Sequence, residues 1–229
     1  PAGLLVHRIK LKMENGEREM EPTLVDWLLK KYPEIKTVGD DPENRPGIVH
    51  RLDKDTSGVI LIARNQKFFE YLKSLFKNHQ IKKTYMALVY GKLEPKTGVI
   101  EKPIALKSGS LKRTVRISDK ARMVKEAITE YKVKKFLSIQ GEVFSLVELF
   151  PKTGRTHQLR VHMASIGHPI VGDKLYSSKS NLTRLSLVRL ERQFLHAESV
   201  EFSLESGRRI KIEAELPPEL AEILKFIDV

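Results

Sequence analysis

The stretch RPGIVHRLDKDTSG, residues 45–58, joins a polar turn to the apolar run GVILIA at residues 58–63. The turn carries Asp53 and Asp55 among arginine, lysine and histidine side chains. A short apolar run of this kind predicts a buried strand over residues 58–63. A carboxylate placed just before such a strand can be held rigidly at the floor of a cleft. An ordinary turn, in which an aspartate caps backbone N–H groups, explains the same residues, so both interpretations stay open here.

Periodic apolar patterns predict the elements around this stretch. Leu24–Lys31 is predicted to be a helix with Thr23 as its N-cap, and residues 67–78 a second amphipathic helix. Alternating patterns predict strands at 84–90, 127–133 and 143–149 and a hairpin across the Ser206–Gly207 turn. Two further helices are predicted at 156–166 and 219–227. Strands outnumber helices and their connections are short, which predicts an α+β fold with a mixed, mostly antiparallel sheet and flanking helices.

Composition limits the partners that the protein can have. The 229 residues carry 41 Lys and Arg against 29 Asp and Glu, a net charge of +12, which favours a polyanion such as nucleic acid or an acidic membrane surface. No apolar run is long enough to cross a bilayer, and no cysteine is available for a disulfide, a thiolate zinc site or nucleophilic catalysis. We expect a cytoplasmic protein without membrane association, because absent disulfides fit a reducing compartment.

Two further segments place polar groups beside apolar strands. Tyr85 follows two lysines at the start of a predicted strand, where its ring can stack on a base or simply be half-buried. In the segment PKTGRTHQLRVHM, residues 151–163, Arg155 at a glycine-led helix start can hold a phosphate, and Arg160 can pair with a buried carboxylate. A solvated basic helix face explains this segment equally well.

Other motifs do not fit the sequence. Residues 154–156 lack the spacing of a phosphate-binding loop, and His157 and His162 are five residues apart without the glutamate of a zinc protease. Asp53 and Asp55, two residues apart in one turn, are poorly placed to flank a sugar as a glycosidase pair. No metal site is expected.

Taken together, these segments resemble the catalytic domain of the RluA family of pseudouridine synthases. The motifs occur in the family's order: PAGLLVH at residues 1–7, HRLDKDTSG at 50–58, KTYMALV at 83–89, GRTHQLRVHM at 154–163 and GHPIVGD at 167–173. They span nearly the whole chain, so we interpret residues 1–229 as one catalytic domain. Because the chain opens at Pro1 without an initiator methionine, we expect it to be a fragment that lacks upstream residues. The resemblance implies that the family's N-terminal strand and any S4-like RNA-binding domain are absent from this chain.

The resemblance implies an α+β fold with a central cleft and the isomerisation of uridine within RNA, without a cofactor or metal. It implies that Asp53 is the nucleophile, that Tyr85 stacks on the target base, and that Arg160 forms a salt bridge with the aspartate. Arg51 matches the arginine that takes the place of the flipped base. We expect the motifs to supply the substrate contacts, from Arg51, His50, Thr56, Leu159, Arg155 and His157.

Two non-catalytic alternatives remain open at this point. One is an inactive RNA-binding or chaperone protein of the same fold, and the other is a basic scaffold that contacts ribosomes. The substrate is expected to be structured ribosomal or transfer RNA, and the protein a monomer. Residues 97–123 are rich in lysine and arginine. This region is either an RNA-contacting hairpin or a solvated surface excursion, and we favour RNA contact because the cleft needs basic walls.

Overall fold

The computed structural model describes residues 1–7, 21–107, 112–117, 122–139, 141–178, 181 and 190–225. The chain forms two compact units, one of residues 1–55 and 60–81 and the other of residues 56–59 and 82–229. Several residues of the predicted basic hairpin, among them Lys120, and the last residues of the predicted helix 219–227 lie outside the described residues.

The described part of the first unit contains two α-helices and a short 3-10 helix. Helix α1, Leu24–Lys31, begins as predicted at Thr23, whose hydroxyl accepts from the Asp26 N–H while Asp26 accepts from the Thr23 N–H. This reciprocal capping satisfies two backbone donors at the helix start. The 3-10 helix spans Pro33–Thr37, and helix α2, Gln66–Lys77, begins at the N-cap Asn65. The hydrophobic core around α1 contains Val6, Val25, Leu28, Ile35 and Ile48.

The second unit contains a seven-stranded sheet in the order β1-β9-β2-β8-β7-β3, with β10 paired to β9. Only β1 pairs in parallel, with β9, and the other ladders of this sheet are antiparallel. The strands are β1 Ser57–Gly58, β2 Lys82–Tyr90, β3 Thr97–Glu101, β7 Ile128–Ile139, β8 Glu142–Pro151, β9 Leu195–Ser203 and β10 Arg209–Glu213. The predicted α+β class with a mixed, mostly antiparallel sheet is confirmed.

A smaller sheet and two helices complete the described part of this unit. Strands β4 Ile104–Leu106, β5 Arg113–Thr114 and β6 Arg122–Lys125 form a three-stranded sheet in the order β5-β4-β6. Helix α3, Gln158–Ser165, packs Leu159 and Met163 against Ala87 and other residues on one face of the large sheet. Helix α4, Pro218–Lys225, packs against Leu88 and its neighbours. Ala87 and Leu88 belong to different clusters because successive side chains of a strand point to opposite faces.

The strand predicted over residues 58–63 is wrong in extent. The ladder with β9 contains only Ser57 and Gly58, although Val59, Leu61 and Ala63 are all buried. The Val59 N–H still donates to the Ala197 carbonyl of β9, but the Leu61 N–H donates to the His50 ring and the Ala63 N–H to the Gly47 carbonyl. An apolar run predicts burial, and burial does not require one continuous ladder.

None of the helices among the described residues has the length and apolar character needed to cross a membrane.

Candidate active site

The turn at residues 50–55 belongs to the first unit and is closed at its base. Ile48 and Ile62 form an antiparallel bridge, and the Cβ of any residue other than glycine at position 47 would lie 2.5 Å from the Ala63 carbonyl oxygen. His50 accepts the Leu61 N–H at 2.8 Å and stacks on Phe76 with ring centroids 4.7 Å apart. The His50 side chain therefore has a structural role, and its predicted contact with substrate stays a prediction.

Asp53 is half-buried in this turn and Arg51 is exposed. Burial lowers the pKa of the His7 imidazole, and the charges of Arg51 and Arg45 lower it further, whereas the charge of Asp41 raises it. Cations such as Arg51 and Arg45 favour the ionised form of a nearby carboxylate and attract phosphate groups.

Residues 56–59 are fastened to β9 in the second unit. Thr56 is buried and its hydroxyl accepts from the Gln193 side-chain amide at 2.8 Å. His196 donates from Nε2 to the Ala214 carbonyl at 3.0 Å, so its Nδ1 accepts from the Ser57 hydroxyl at 2.9 Å. Thr56 thus has a structural partner, and its predicted contact with substrate stays a prediction.

Tyr85 lies on β2 and is half-buried against the cluster that contains Leu159. Leu159 itself is buried, at 6% exposure, so it supports the tyrosine from the side of α3. The structure therefore brings together two of the predicted site residues, on adjoining elements of one unit.

Arg160 on α3 forms a bidentate ion pair with Asp173. Its Nε donates to Oδ2 at 2.7 Å and its Nη2 to Oδ1 at 2.9 Å. The side chains are 11% and 0% exposed, and Asp173 Oδ1 also accepts from the backbone N–H groups of Leu175 and Tyr176. Bidentate geometry fixes the plane of a guanidinium as well as its position.

His157 and Arg155 lie just before this helix. His157 is the N-cap of α3 in the left-handed conformation, with φ 56°, so the helix begins two residues later than predicted. Its Nδ1 lies 2.9 Å from the Tyr176 hydroxyl. Arg155 donates from Nε to the Glu126 carbonyl, and its N–H donates to Oε1 of Gln158.

Several residues of this region have no role predicted from the sequence. Asp173 belongs to the GHPIVGD motif, yet the pattern does not reveal that it pairs with Arg160. Lys83 is half-buried two residues before Tyr85, and burial lowers the pKa of its ammonium to about 8. Gln193 and His196 lie in a segment without a recognisable motif. In the described part of the chain, no group of three histidine or carboxylate side chains could hold a metal ion.

Two solved structures share this fold and define the class of the protein. Human RNA Pseudouridylate Synthase Domain Containing 1 has a TM-score of 0.71 at 28% identity, over 88% of this chain and 78% of that chain. Human RNA Pseudouridylate Synthase Domain Containing 4 has a TM-score of 0.72 at 26% identity, over 100% of this chain and 88% of that chain. Residues 1–165 match the family of RNA pseudouridylate synthases, and the chain belongs to this family.

Curated relatives agree with this assignment. An uncharacterized RNA pseudouridine synthase of Chloroflexus aurantiacus is 38% identical over 226 residues, which are 98% of this chain and 64% of that protein. Ribosomal large subunit pseudouridine synthase D of Nitrosomonas europaea is 37% identical over 231 residues, 99% of this chain and 61% of that protein. The chain thus spans less than two thirds of the length of these two relatives.

Proposed function

We propose that the protein converts uridine to pseudouridine in RNA, with Asp53 as the nucleophile. The observation that carries this proposal is the family match over residues 1–165, which includes the turn of Asp53, the strand of Tyr85 and all of helix α3. In this isomerisation the bond between C1′ and N1 of uracil breaks and a bond between C1′ and C5 forms. C5 loses a proton and N1 gains one, so no atom is gained or lost overall.

Base flipping is the first step, because a base in a stack is out of reach of the enzyme. Arg51 is exposed, and its planar guanidinium suits the vacancy that the flipped base leaves. Tyr85 receives the flipped uracil, since its half-buried ring offers a stacking face. Its hydroxyl is proposed to help remove the proton at C5. Leu159 and the apolar residues around it keep water away from the detached base.

Asp53 must be ionised to react, and Arg160 is proposed to hold it so. The support for this role is the fixed plane of the Arg160 guanidinium, which Asp173 holds through two hydrogen bonds. A nearby cation favours the charged form of a carboxylate. Arg155 and His157, on the loop before α3, are proposed to contact the substrate beside this site.

The finer features of the substrate belong to the same proposal. We propose structured RNA, either ribosomal or transfer RNA, acted on by a cytoplasmic monomer. The relatives in Nitrosomonas europaea and Zymomonas mobilis that are named ribosomal large subunit pseudouridine synthase D make ribosomal RNA the first substrate to assay. Basic residues of the strands between 97 and 123 are proposed to add phosphate contacts.

The decisive experiment compares Asp53→Asn with the parent on ribosomal RNA transcripts labelled with tritium at uridine C5. Tritium release reports loss of the C5 proton, and we expect a loss of at least about 1,000-fold in rate with RNA affinity unchanged, because the amide cannot act as a nucleophile. Asp40→Asn is the matched control, an exposed carboxylate of the same unit whose partner is Lys73, and it should retain parental activity.

Three outcomes separate the candidate functions. Comparable tritium release by Asp53→Asn would remove Asp53 from the mechanism. A parent that binds RNA without release on any uridine-containing transcript would instead favour the inactive RNA-binding protein. Binding to ribosomes without binding to free RNA would favour the scaffold.

A further inference from the structure

Lys83 is a half-buried cation that the proposed mechanism does not use. It lies on β2, and its Nζ is 3.5 Å from the Thr153 carbonyl oxygen, at the outer limit of a hydrogen bond. No carboxylate among the described residues comes within salt-bridge distance of this ammonium. Burial of a charge is costly unless the charge is paired, so Lys83 lacks the counter-ion that its position calls for.

A second cation increases this cost. The charge of Arg155 adds to burial in lowering the pKa of Lys83. The loop between them is held in place by Gln158, whose Oε1 accepts from both Thr153 Oγ1 and Arg155 N and whose Nε2 donates to the Ile128 carbonyl. The protein thus keeps the charge of Lys83 on β2 near that of Arg155 on a braced loop, an arrangement that an anion would stabilise.

The approach to Lys83 lies over Gly154. This glycine is exposed, and a Cβ at its position would meet no atom within 4 Å other than Lys83 Nζ, at 4.0 Å. An anion can therefore reach the ammonium from solvent without displacing a side chain at position 154.

Lys83 lies two residues before Tyr85 on strand β2. At the register shift between Thr84 and Tyr85 the extra residue belongs to β9, because Thr84 pairs with Ser199 and Tyr85 with Ala197. Strand β2 therefore keeps its alternation, and Lys83 and Tyr85 lie on the same face about 7 Å apart along the strand.

We propose that Lys83, Arg155 and the Gly154 backbone form a binding subsite for one RNA phosphate beside the target uridine. This inference rests on the proposed function, since RNA supplies the phosphate and Tyr85 is the proposed base-stacking residue. The spacing assigns the phosphate to the target nucleotide or to its immediate neighbour. A phosphate diester carries one negative charge and exposed oxygens, which suit a site beside two cations.

The first test measures the affinity of the full chain for a fluorescein-labelled, uridine-containing RNA hairpin over a range of salt concentrations. Lys83→Gln should raise Kd by about 5- to 10-fold and reduce the slope of log K against log salt by about one, because one phosphate contact is lost. Lys83→Arg keeps the charge and should recover most of the affinity. The matched control is Lys82→Gln, the exposed neighbour whose Nζ is 3.9 Å from Glu201, and it should change Kd by less than about twofold. Equal Kd values and slopes for Lys83→Gln and Lys82→Gln would overturn the subsite.

A second variant tests the approach while leaving Lys83 intact. Gly154→Leu covers the ammonium, and Gly154 is exposed without a left-handed backbone, so the variant should fold. We expect it to weaken RNA binding as much as Lys83→Gln does. If Gly154→Leu binds RNA with the affinity and salt slope of the parent, the anion does not reach Lys83 over position 154. This test applies even if Lys83→Gln fails to fold.

A neutral methylphosphonate at single linkages of the hairpin locates the phosphate. One linkage next to the target uridine should weaken the parent but not Lys83→Gln, because the two changes remove the same contact. Equal sensitivity of both proteins at every linkage would show that Lys83 contacts none of them. Tritium release by the parent is measured in parallel. Absence of release defeats the proposed function, whereas the comparison of Kd values still decides the subsite.

Discussion

At the scale of single residues, Asp173 is a buried carboxylate with four hydrogen-bond donors around it. It accepts two hydrogen bonds from Arg160 and two from backbone N–H groups, and its side chain has 0% exposure. Gly172 makes this possible, because a Cβ there would lie 2.0 Å from the Arg192 carbonyl oxygen. The tight turn before Asp173 places the carboxylate under α3, so Asp173 acts as a positioning residue for Arg160.

Asp173→Ala is predicted to lower the free energy of unfolding by about 3–5 kcal/mol, because it leaves the largely buried Arg160 without this counter-ion. Urea denaturation measures the loss. Asp40→Ala breaks the exposed pair with Lys73 and should cost less than about 1 kcal/mol. Similar losses in the two variants would show that burial of the Arg160 pair has no energetic consequence.

At the scale of elements, the short strand β1 depends on glycine. Gly58 has φ 120°, and a Cβ at this position would lie 2.1 Å from the Ala197 carbonyl oxygen of β9. The backbones of β1 and β9 can therefore pair only if residue 58 has no side chain. This close approach anchors the chain directly after the turn that carries Asp53.

Gly58→Ala is predicted to destabilise the protein by more than about 3 kcal/mol, since steric overlap with backbone adds to a strain of about 1–3 kcal/mol. Gly207→Ala separates the two contributions, because Gly207 has φ 80° but no atom within 4 Å of the added Cβ. It should cost only the strain, about 1–2 kcal/mol. Equal losses of unfolding free energy in a urea titration would contradict the overlap.

The sequence predicts some elements of the fold correctly and misses others. Thr23 caps helix α1, and strands β7 and β8 form where alternating apolar patterns predict them, because caps and apolar patterns are local properties of the sequence. Strand β8 buries both faces in its middle, which its alternating pattern does not predict. The run at 58–63 keeps its burial but not its ladder, because its backbone partners come from distant parts of the chain. For Arg160, the sequence predicts a carboxylate partner at Asp53. The partner Asp173 depends on the packing of Gly172 against Arg192, which no spacing reveals.

At the scale of the whole molecule, each unit contains a histidine whose pKa is lowered by burial. Burial is the largest cause that lowers the pKa of His7 in the first unit and of His162 and His196 in the second. His162 has 0% exposure, and its ring nitrogens lie 2.9 Å from Thr129 Oγ1 and from the Lys102 carbonyl. Nε2 must donate to the Lys102 carbonyl, so Nδ1 accepts from the Thr129 hydroxyl. A doubly protonated ring could not accept this second hydrogen bond.

The unfolding free energy should therefore decrease as pH falls below 6.5, which is the ordinary pKa of a histidine side chain. In this range the unfolded chain takes up protons that the folded chain refuses, and each histidine contributes at most about 1.4 kcal/mol per pH unit. The contribution is fully present above pH 6.5 and is lost as pH falls toward the lowered folded-state values. Urea denaturation at pH 7, 6 and 5 measures the slope, which His162→Gln should flatten and His79→Gln, at an exposed position, should leave unchanged. A slope that is the same in His162→Gln and in the parent would mean that His162 is protonated as readily in the folded protein as in the unfolded chain.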